Sequence, residues 1–464
     1  MSHGPGRARA ALSLAIVCLG TLVAPLDTAV NIALPSITAA FGIRLEDIRW
    51  VVIAYVLTYS SLLLICGKIG DRIGYRSVFQ AGLAVSAAGF AVCTLATAYE
   101  WLLVGRIGQG VGVALVLSCG PALATSLYDE RHRTRVLATY AAATSIGAAL
   151  GPIVGGALID QFGWSAVFAM RFPLALIALA LSWLIPPTPS RASGGRFDAL
   201  GAALLIGWMV ALLLALSLRD RGFELRMGLA GAALIVLAAF VVHERRHPEP
   251  IIRPSLFRDV EFTLMNVMSI AIYFAIFSVL LLVPYFLIRV RGLDAGTGGL
   301  FLALPAVGGI VGAWIAGRCA GTVGVGRIAL AGVISAIAGL GGIVFWTADT
   351  SLVLVALALA VQGLGVGLFQ VSYTDLVTAI LPRADRGVAG SLTMVTRTIG
   401  TVAGASLHAA VQRHYSDAAR AAGSGYEAAF LAGFNQAFLV ASGTLAVALA
   451  LSLLRPQVWL RRTT

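Results

Sequence analysis

Of the 464 residues in this chain, 59% are hydrophobic and only 12% are charged, where a soluble domain carries roughly 25% charged residues. That composition excludes a soluble enzyme and points to an integral membrane protein. The net charge of +12 sits on arginines in short turns between apolar runs, with Lys68 the single lysine, so it reports topology rather than a nucleic-acid partner.

Arg7 and Arg9 precede an apolar run that continues to Pro35 and is followed by many more, so the run reads as a first span rather than a signal peptide. Runs of about 20 apolar residues predict fourteen spanning helices. They lie near residues 11–35, 48–66, 78–97, 101–125, 136–159, 165–185, 198–218, 227–243, 262–288, 297–317, 328–347, 351–376, 388–411 and 432–454. The loops on the N-terminal side then carry 21 Arg and Lys and the opposite loops 9, counting Arg49 with the latter. Both termini are therefore expected in the cytoplasm. The arginine-rich, lysine-poor loops suit the inner membrane of a bacterium. Cys18, Cys66, Cys93, Cys119 and Cys319 are scattered in or beside apolar segments without metal or disulfide spacing, and read as packing thiols.

Much of the fourth and fifth spans is written twice. Gln109 to Leu115 recurs as Gln362 to Leu368, and the offset of 253 holds through Thr125 and Thr378, Arg133 and Arg386, Gly147 and Gly400, to Gly151 and Gly404. So long a period means two related halves rather than a solenoid. A shift of eight spans fits two six-helix bundles with two helices inserted between them. The expected organisation is a bundle over 1–186, a linker with two extra spans over 187–260, and a bundle over 261–464. The linkers are Pro186 to Gly195 and His243 to Asp259, and Arg413 to Phe430 reads as a polar outer loop, partly helical.

Asp27, Arg106, Arg171 and Arg397 each lie within an apolar run, where a charge needs a partner and a function. At 1.5 Å per residue, Asp27 lies about 13 Å and Arg106 about 8 Å below the outer surface. The two are expected to pair, with the Asp27 carboxyl exchanging a proton with a cavity; the plainer alternative is a permanent structural ion pair. The second half has Leu359 in place of Arg106. Arg171, about 10 Å deep, reads as a snorkelling side chain, with a cavity role as the alternative. Arg397 lies about two turns from the cytoplasmic end of its span and reads as interfacial, a gate contact to Asp375 being the other reading.

Gly67-Lys68-Ile69-Gly70-Asp71-Arg72-Ile73-Gly74-Tyr75-Arg76 is expected to form the turn between the second and third spans. Its glycines allow a tight turn, and Asp71 can accept hydrogen bonds from a helix N-terminus or an arginine. A degenerate echo runs from Gly317 to Gly324, with Gly321 in the aspartate's place. On the fifth span Gly147, Gly151 and Gly155 recur every fourth residue beside Pro152 and Gly156, a smooth stripe for close helix contact.

These residues resemble the major facilitator superfamily, and within it the fourteen-helix drug:proton antiporter branch, over nearly the whole chain. Leu26 to Pro35 resembles the branch's first-helix signature, Trp50 and Tyr55 its second helix, and Gly67 to Arg76 the superfamily's loop motif. Gly105-Arg106 with Gln109-Gly110 resembles the helix-four motif linked to proton coupling. Gly147 to Gly156 resembles the antiporter motif, and Phe197-Asp198 with Gly201 the start of the inserted pair. The resemblance implies an all-helical fold with two pseudo-symmetric bundles and a central cavity that opens to each side in turn. By analogy Asp27 takes a proton from outside and Arg106 tunes it. Gly67, Asp71, Arg72, Gly74 and Arg76 form a conformational gate, and the glycine stripe limits leak. After Gly163-Trp164 the chain departs from the family pattern, with Ser165-Ala166 and Arg171.

The expected function is proton-driven export of small, mostly lipophilic compounds. Asn31, Tyr55, Gln109, Arg171, Phe274, Phe277, Gln362 and Phe369 are the cavity candidates; for the phenylalanines, lipid-facing packing is the plainer reading. A carrier for one metabolite or organic anion is the alternative, with Arg106 and Arg171 supplying positive charge. The histidines His3, His132, His243, His247, His408 and His414 form no catalytic set, and no Gly-x-x-x-x-Gly-Lys-Ser/Thr loop is present. The expected partners are therefore a small molecule and the lipid bilayer, with the proton as coupling ion and no cofactor, metal, nucleic acid or ATPase subunit.

Overall fold

The computed structural model describes residues 5–126, 128, 132–187, 198–217, 222–247, 254–380 and 386–460. The linker predicted at 186–195 falls outside them from residue 188 onward, as does Phe197; the side chains of Arg133, Thr378 and Arg386 are also outside. Helices make up the regular structure of the described residues. They are α1 (Pro5–Thr21), α2 (Ala29–Phe41), α3 (Leu45–Ile73), α4 (Tyr75–Thr94), α5 (Tyr99–Ser126), α6 (Arg133–Phe162), α7 (Ala166–Ala169), α8 (Arg171–Ser182) and α9 (Ala199–Ser217). There follow α10 (Phe223–Arg246), α11 (Val260–Tyr285), α12 (Ala295–Val323), α13 (Val325–Ile343), α14 (Leu352–Ile380), α15 (Arg386–Ala421), α16 (Tyr426–Ser452) and α17 (Gln457–Leu460).

Among the described residues, ten helices are long and apolar enough to cross a membrane, or eleven with the bent α3 counted as one span. Their exposed apolar rows, such as Leu234 and Ile235 on α10 and Val353, Leu354 and Leu357 on α14, are surfaces that hydrocarbon covers at no cost. The chain divides into two compact units, residues 1–43 with 50–206, and residues 44–49 with 207–464. The division passes through α9.

In the first unit α4 and α5 approach through glycines. A Cβ on Gly82 would lie 2.8 Å from the Gly112 carbonyl oxygen, and one on Gly89 would lie 2.7 Å from the Gln109 nitrogen. The second unit makes the same contact again between α13 and α14: a Cβ on Gly332 would meet the Gly365 oxygen at 2.7 Å, and one on Gly339 the Gln362 nitrogen at 2.5 Å. The repeat read from the fourth and fifth spans thus extends one helix further, carried by glycines whose value is the space they leave.

Two stretches differ from expectation. Gly67 to Ile73 is helical, the last part of α3 beyond a 48° bend, and the break before α4 is Gly74 alone. At φ +95° Gly74 supplies the reversal a side chain would strain; Gly324 at φ +92° does the same between α12 and α13. The predicted outer loop after Arg413 is also mostly helical, since α15 runs to Ala421 and α16 starts at Tyr426. Ion pairs hold this extension together: Arg413 with Asp417 at 3.6 Å, Asp417 with Arg420 at 3.9 Å, and Arg413 with Glu46.

Gly82→Leu should therefore force α4 from α5 and destabilise the chain by about 1–3 kcal/mol or more. Gly228→Leu on α10, where a Cβ meets nothing within 4 Å, should be tolerated. Heating both variants in detergent and measuring the monodisperse fraction by size-exclusion chromatography checks this, and equal losses would contradict it.

Candidate functional site

The first long apolar run is broken by Pro25, which lacks a backbone N–H and ends α1's regular hydrogen bonding. Pro25–Thr28 forms a single 3-10 turn before α2 resumes, and this turn presents Asp27. The Asp27 Oδ1 accepts from Arg106 Nη1 at 2.5 Å and from Arg171 Nη1 at 2.6 Å, and Oδ2 accepts from Arg106 Nη2 at 2.8 Å. Arg106 on α5 and Arg171 on α8 are 0% and 1% exposed, and Asp27 is 14% exposed. One carboxylate therefore carries a two-bond fork from the first guanidinium and a single bond from the second, the strong class of hydrogen bond.

The surroundings hold both cations in place. Arg106 donates from Nε to the Val51 carbonyl at 2.7 Å and from Nη1 to Gln109 Oε1 at 2.7 Å. Arg171 donates from Nε to the Val167 carbonyl at 3.0 Å. Because two guanidiniums face one carboxylate, the site has an excess positive charge, and aromatic faces lie against it. Arg106 sits 4.3 Å from the Tyr55 ring centroid, and Arg171 sits 4.7 Å from Phe90 and 5.3 Å from Phe168. Arg171 Nη2 is buried and makes no hydrogen bond among the described residues.

The pairing of Asp27 with Arg106 agrees with the depth argument. Arg171 does not: expected to snorkel, it turns inward and shares the carboxylate, because an acid at its own level offers a charged bond that reaching the interface would forgo. The signal was the similar depth of Asp27 and Arg171 in the sequence, about 13 and 10 Å; the aromatic box of Phe90 and Phe168 had none.

The glycine stripe on α6 packs on the same broken turn. A Cβ on Gly147 would lie 2.8 Å from Pro25 Cγ and one on Gly155 would lie 2.7 Å from Ala29 Cβ, while one on Gly151 would strike Thr28 Oγ1. Thr28 Oγ1 donates to the carbonyls of Pro25, at 2.9 Å, and Ala148, at 3.0 Å. Pro152 and Gly156 are buried beside them. The stripe thus sets where Asp27 stands.

At the end of α3, Asp71 Oδ1 accepts from the Tyr75 hydroxyl at 2.6 Å, Gly74 bringing Tyr75 back over the acid. A Cβ on Gly70 would meet Cys119 Sγ at 2.6 Å, whereas Gly67 has room. Arg72 is exposed, and Arg76 Nη2 donates to the Trp183 carbonyl at 3.1 Å.

Most of the cavity candidates are buried side chains. Gln109 is buried, its Nε2 donating to the Gly89 carbonyl at 3.3 Å, and Asn31 is buried on α2. In the second unit Phe274 and Phe277 are buried where Gly400 and Gly404 bring α15 against α11. Phe369 stacks on Tyr373 with centroids 5.7 Å apart, and Gln362 is 1% exposed. The glycines opposite them approach the phenylalanine backbones: a Cβ on Gly404 would strike the Phe274 carbonyl oxygen and lie 3.1 Å from Phe277 Cβ, and one on Gly332 would lie 2.7 Å from the Phe369 nitrogen.

The chain matches the Major Facilitator Superfamily over residues 16–405. It is 31% identical over 418 residues to the methylenomycin A resistance protein of Streptomyces coelicolor (strain ATCC BAA-471 / A3(2) / M145), covering 88% of this chain and 86% of that protein. It is 28% identical over 348 residues to the riboflavin transporter RibZ of Clostridioides difficile (strain 630), covering 75% and 76%. A crystal structure of a bacterial homolog to the human lysosomal transporter Spinster aligns with a TM-score of 0.70 at 17% identity, covering 100% of both chains, and so shares the fold. With its apolar helices, its repeat and these matches, the chain belongs to the major facilitator superfamily, as a membrane transporter and not an enzyme.

Proposed function

We propose that this transporter exports small, mostly lipophilic organic compounds in exchange for protons by alternating access, as a member of the fourteen-helix drug:proton antiporter branch. Eleven apolar spans, with bent α3 counted as one, become fourteen when the shorter apolar helices Ala166–Ser182 and Ala199–Leu212 and α15 are added. The bacterial inner membrane, with both termini in the cytoplasm, is the location that the arginine distribution favours. The relatives named for resistance or export support the direction and the substrate class.

The observation that carries the reading is the Asp27 carboxylate shared by two buried arginines. A proton on either oxygen removes the charge that both guanidiniums bond. Arg106 then keeps the Val51 carbonyl and Gln109, and Arg171 keeps the Val167 carbonyl, so the cations stay in place while the Pro25–Thr28 turn loses its anchor. The turn and the glycine stripe packed on it are free to take a second arrangement, and loss of the proton restores the first. Asp71 with Tyr75, at the end of α3 and the start of α4, is the gate element in this scheme.

A second reading, a carrier for one defined metabolite, draws support from the relative named as a riboflavin transporter. A substrate panel that includes riboflavin separates the two.

In inside-out vesicles with an imposed pH gradient, Asp27→Asn should abolish gradient-driven movement of every panel compound that the native chain moves. Gradient-driven transport that survives in this variant would remove Asp27 from the coupling. Gly151→Leu, which displaces Thr28 and with it the turn, should lower the same flux by about tenfold or more with the protein still inserted. Unchanged flux in Gly151→Leu would separate the stripe from the proton site.

A further inference from the structure

In the second unit α11 and α16 pack on each other but leave a gap at one end. On α16, Thr444, Ala448 and Ser452 recur every fourth residue, a row of small side chains on one face. Beside them lies a groove of about 580 Å³, walled by α11 over residues 260–274, by α16 over residues 444–452 and by Phe257 of the 3-10 turn Pro254–Arg258. That volume falls in the range of about 300–1,000 Å³ that small-molecule sites occupy. Hydroxyls in its wall are already bonded to the chain. Thr263 donates to the Phe257 carbonyl at 2.8 Å, and Ser452 Oγ donates to the Leu449 carbonyl at 2.6 Å and accepts from Trp459 Nε1 at 3.1 Å. Apart from Thr444, the side chains of the wall therefore offer hydrocarbon. Val267, Val447 and Leu451 in that wall are exposed, so the groove is open along the sides of two helices that are long and apolar enough to cross a membrane.

At Val260, which lines both, the groove adjoins a polar cleft of about 330 Å³ formed by Asp259, Glu261, Arg455, Gln457 and Val458. Asp259 is fixed there as the cap of α11, its Oδ1 accepting from the Phe262 N–H at 3.0 Å. Arg455 stands in the turn between α16 and α17. Its side chain is exposed and makes no ion pair or hydrogen bond among the described residues. An apolar groove that ends in a cleft carrying both signs of charge has the form of an amphiphile with a zwitterionic head.

We propose that the groove and the cleft together bind one phospholipid whose head group carries a phosphate and a primary ammonium, phosphatidylethanolamine, with an acyl chain along the groove. The Arg455 guanidinium takes the phosphate with its fork of N–H donors, and the Asp259 carboxylate accepts from the ammonium. Lipid hydrocarbon covers Val267, Val447 and Leu451 without cost, and the two charges select the head group. The bound lipid bridges α11 and α16, and α11 in turn packs on α15 through Gly400 and Gly404. The site uses no residue of the Asp27 exchange and does not depend on the direction or the cargo of transport.

Native mass spectrometry of the delipidated full chain in detergent tests this, with phosphatidylethanolamine, phosphatidylcholine and phosphatidylglycerol of identical acyl chains added in turn. Phosphatidylethanolamine should give the most strongly retained adduct. Arg455→Gln should weaken it about tenfold or more. Asp259→Asn, which keeps an acceptor to cap α11, should bring it down to the level of phosphatidylcholine, whose quaternary ammonium has no N–H. Ala448→Phe should fill the groove and weaken all three lipids, while Ala450→Phe, exposed on α16 outside the groove, should change none. Equal retention of the three lipids by the native chain, or a preference for phosphatidylglycerol, would overturn the assignment. So would phosphatidylethanolamine binding that is indifferent to Arg455→Gln, to Asp259→Asn or to Ala448→Phe.

Discussion

A carboxylate inside an apolar layer survives only if its charge is answered, and in this chain one carboxylate answers to two guanidiniums. The Asp27 side chain accepts three charge-assisted bonds within 2.8 Å, and every element of the first unit around it adjusts to that arrangement. Pro25 breaks the helix to present the acid, α5 and α8 bring the cations, and the faces of Tyr55, Phe90 and Phe168 take the charge left over. Removing one partner would strand a buried ion, which costs far more than the pair contributes. A proton on the acid removes that answer from both guanidiniums at once, leaving each with a carbonyl acceptor and no counter-charge, and in the proposed exchange that cost is what drives the turn to a second arrangement.

The two halves show what duplication keeps and what it releases. The glycine contacts between α4 and α5 recur between α13 and α14 almost atom for atom, because backbone proximity tolerates no side chain on either copy. The chemistry has diverged. Leu359, fully buried, replaces Arg106, and the equivalent glutamine Gln362 has an Oε1 that makes no hydrogen bond among the described residues. Where the first copy has Gly155 against Ala29, the second has His408, fully buried against Phe274 at 4.6 Å with neither ring nitrogen bonded among the described residues. The shared carboxylate thus belongs to one half.

Several features were legible in the sequence because they follow from periodicity and from the cost of charge in hydrocarbon. Runs of apolar residues placed the ten or eleven helices that are long and apolar enough to cross a membrane among the described residues, the 253-residue offset placed the repeat, and depth counting paired Asp27 with Arg106. The failures have common causes. Helix ends that project beyond the apolar run, as at Gly67 to Ile73 and after Arg413, carry polar residues that look like loop. The direction of a long side chain is not written in its position: Arg171 reads as snorkelling from the sequence, and in the structure it turns inward to Asp27.

The central claim is that Asp27 is the group that gains and loses the transported proton. Infrared difference spectroscopy of the full chain in lipid, recorded while the buffer is acidified, reports directly on carboxyl protonation through the carbonyl stretch of the neutral acid. The account predicts a protonated-carboxyl band that rises on acidification, shifts when a transported compound is added, and is missing in Asp27→Asn. A band of the same size and substrate response in that variant would contradict it and place the proton elsewhere.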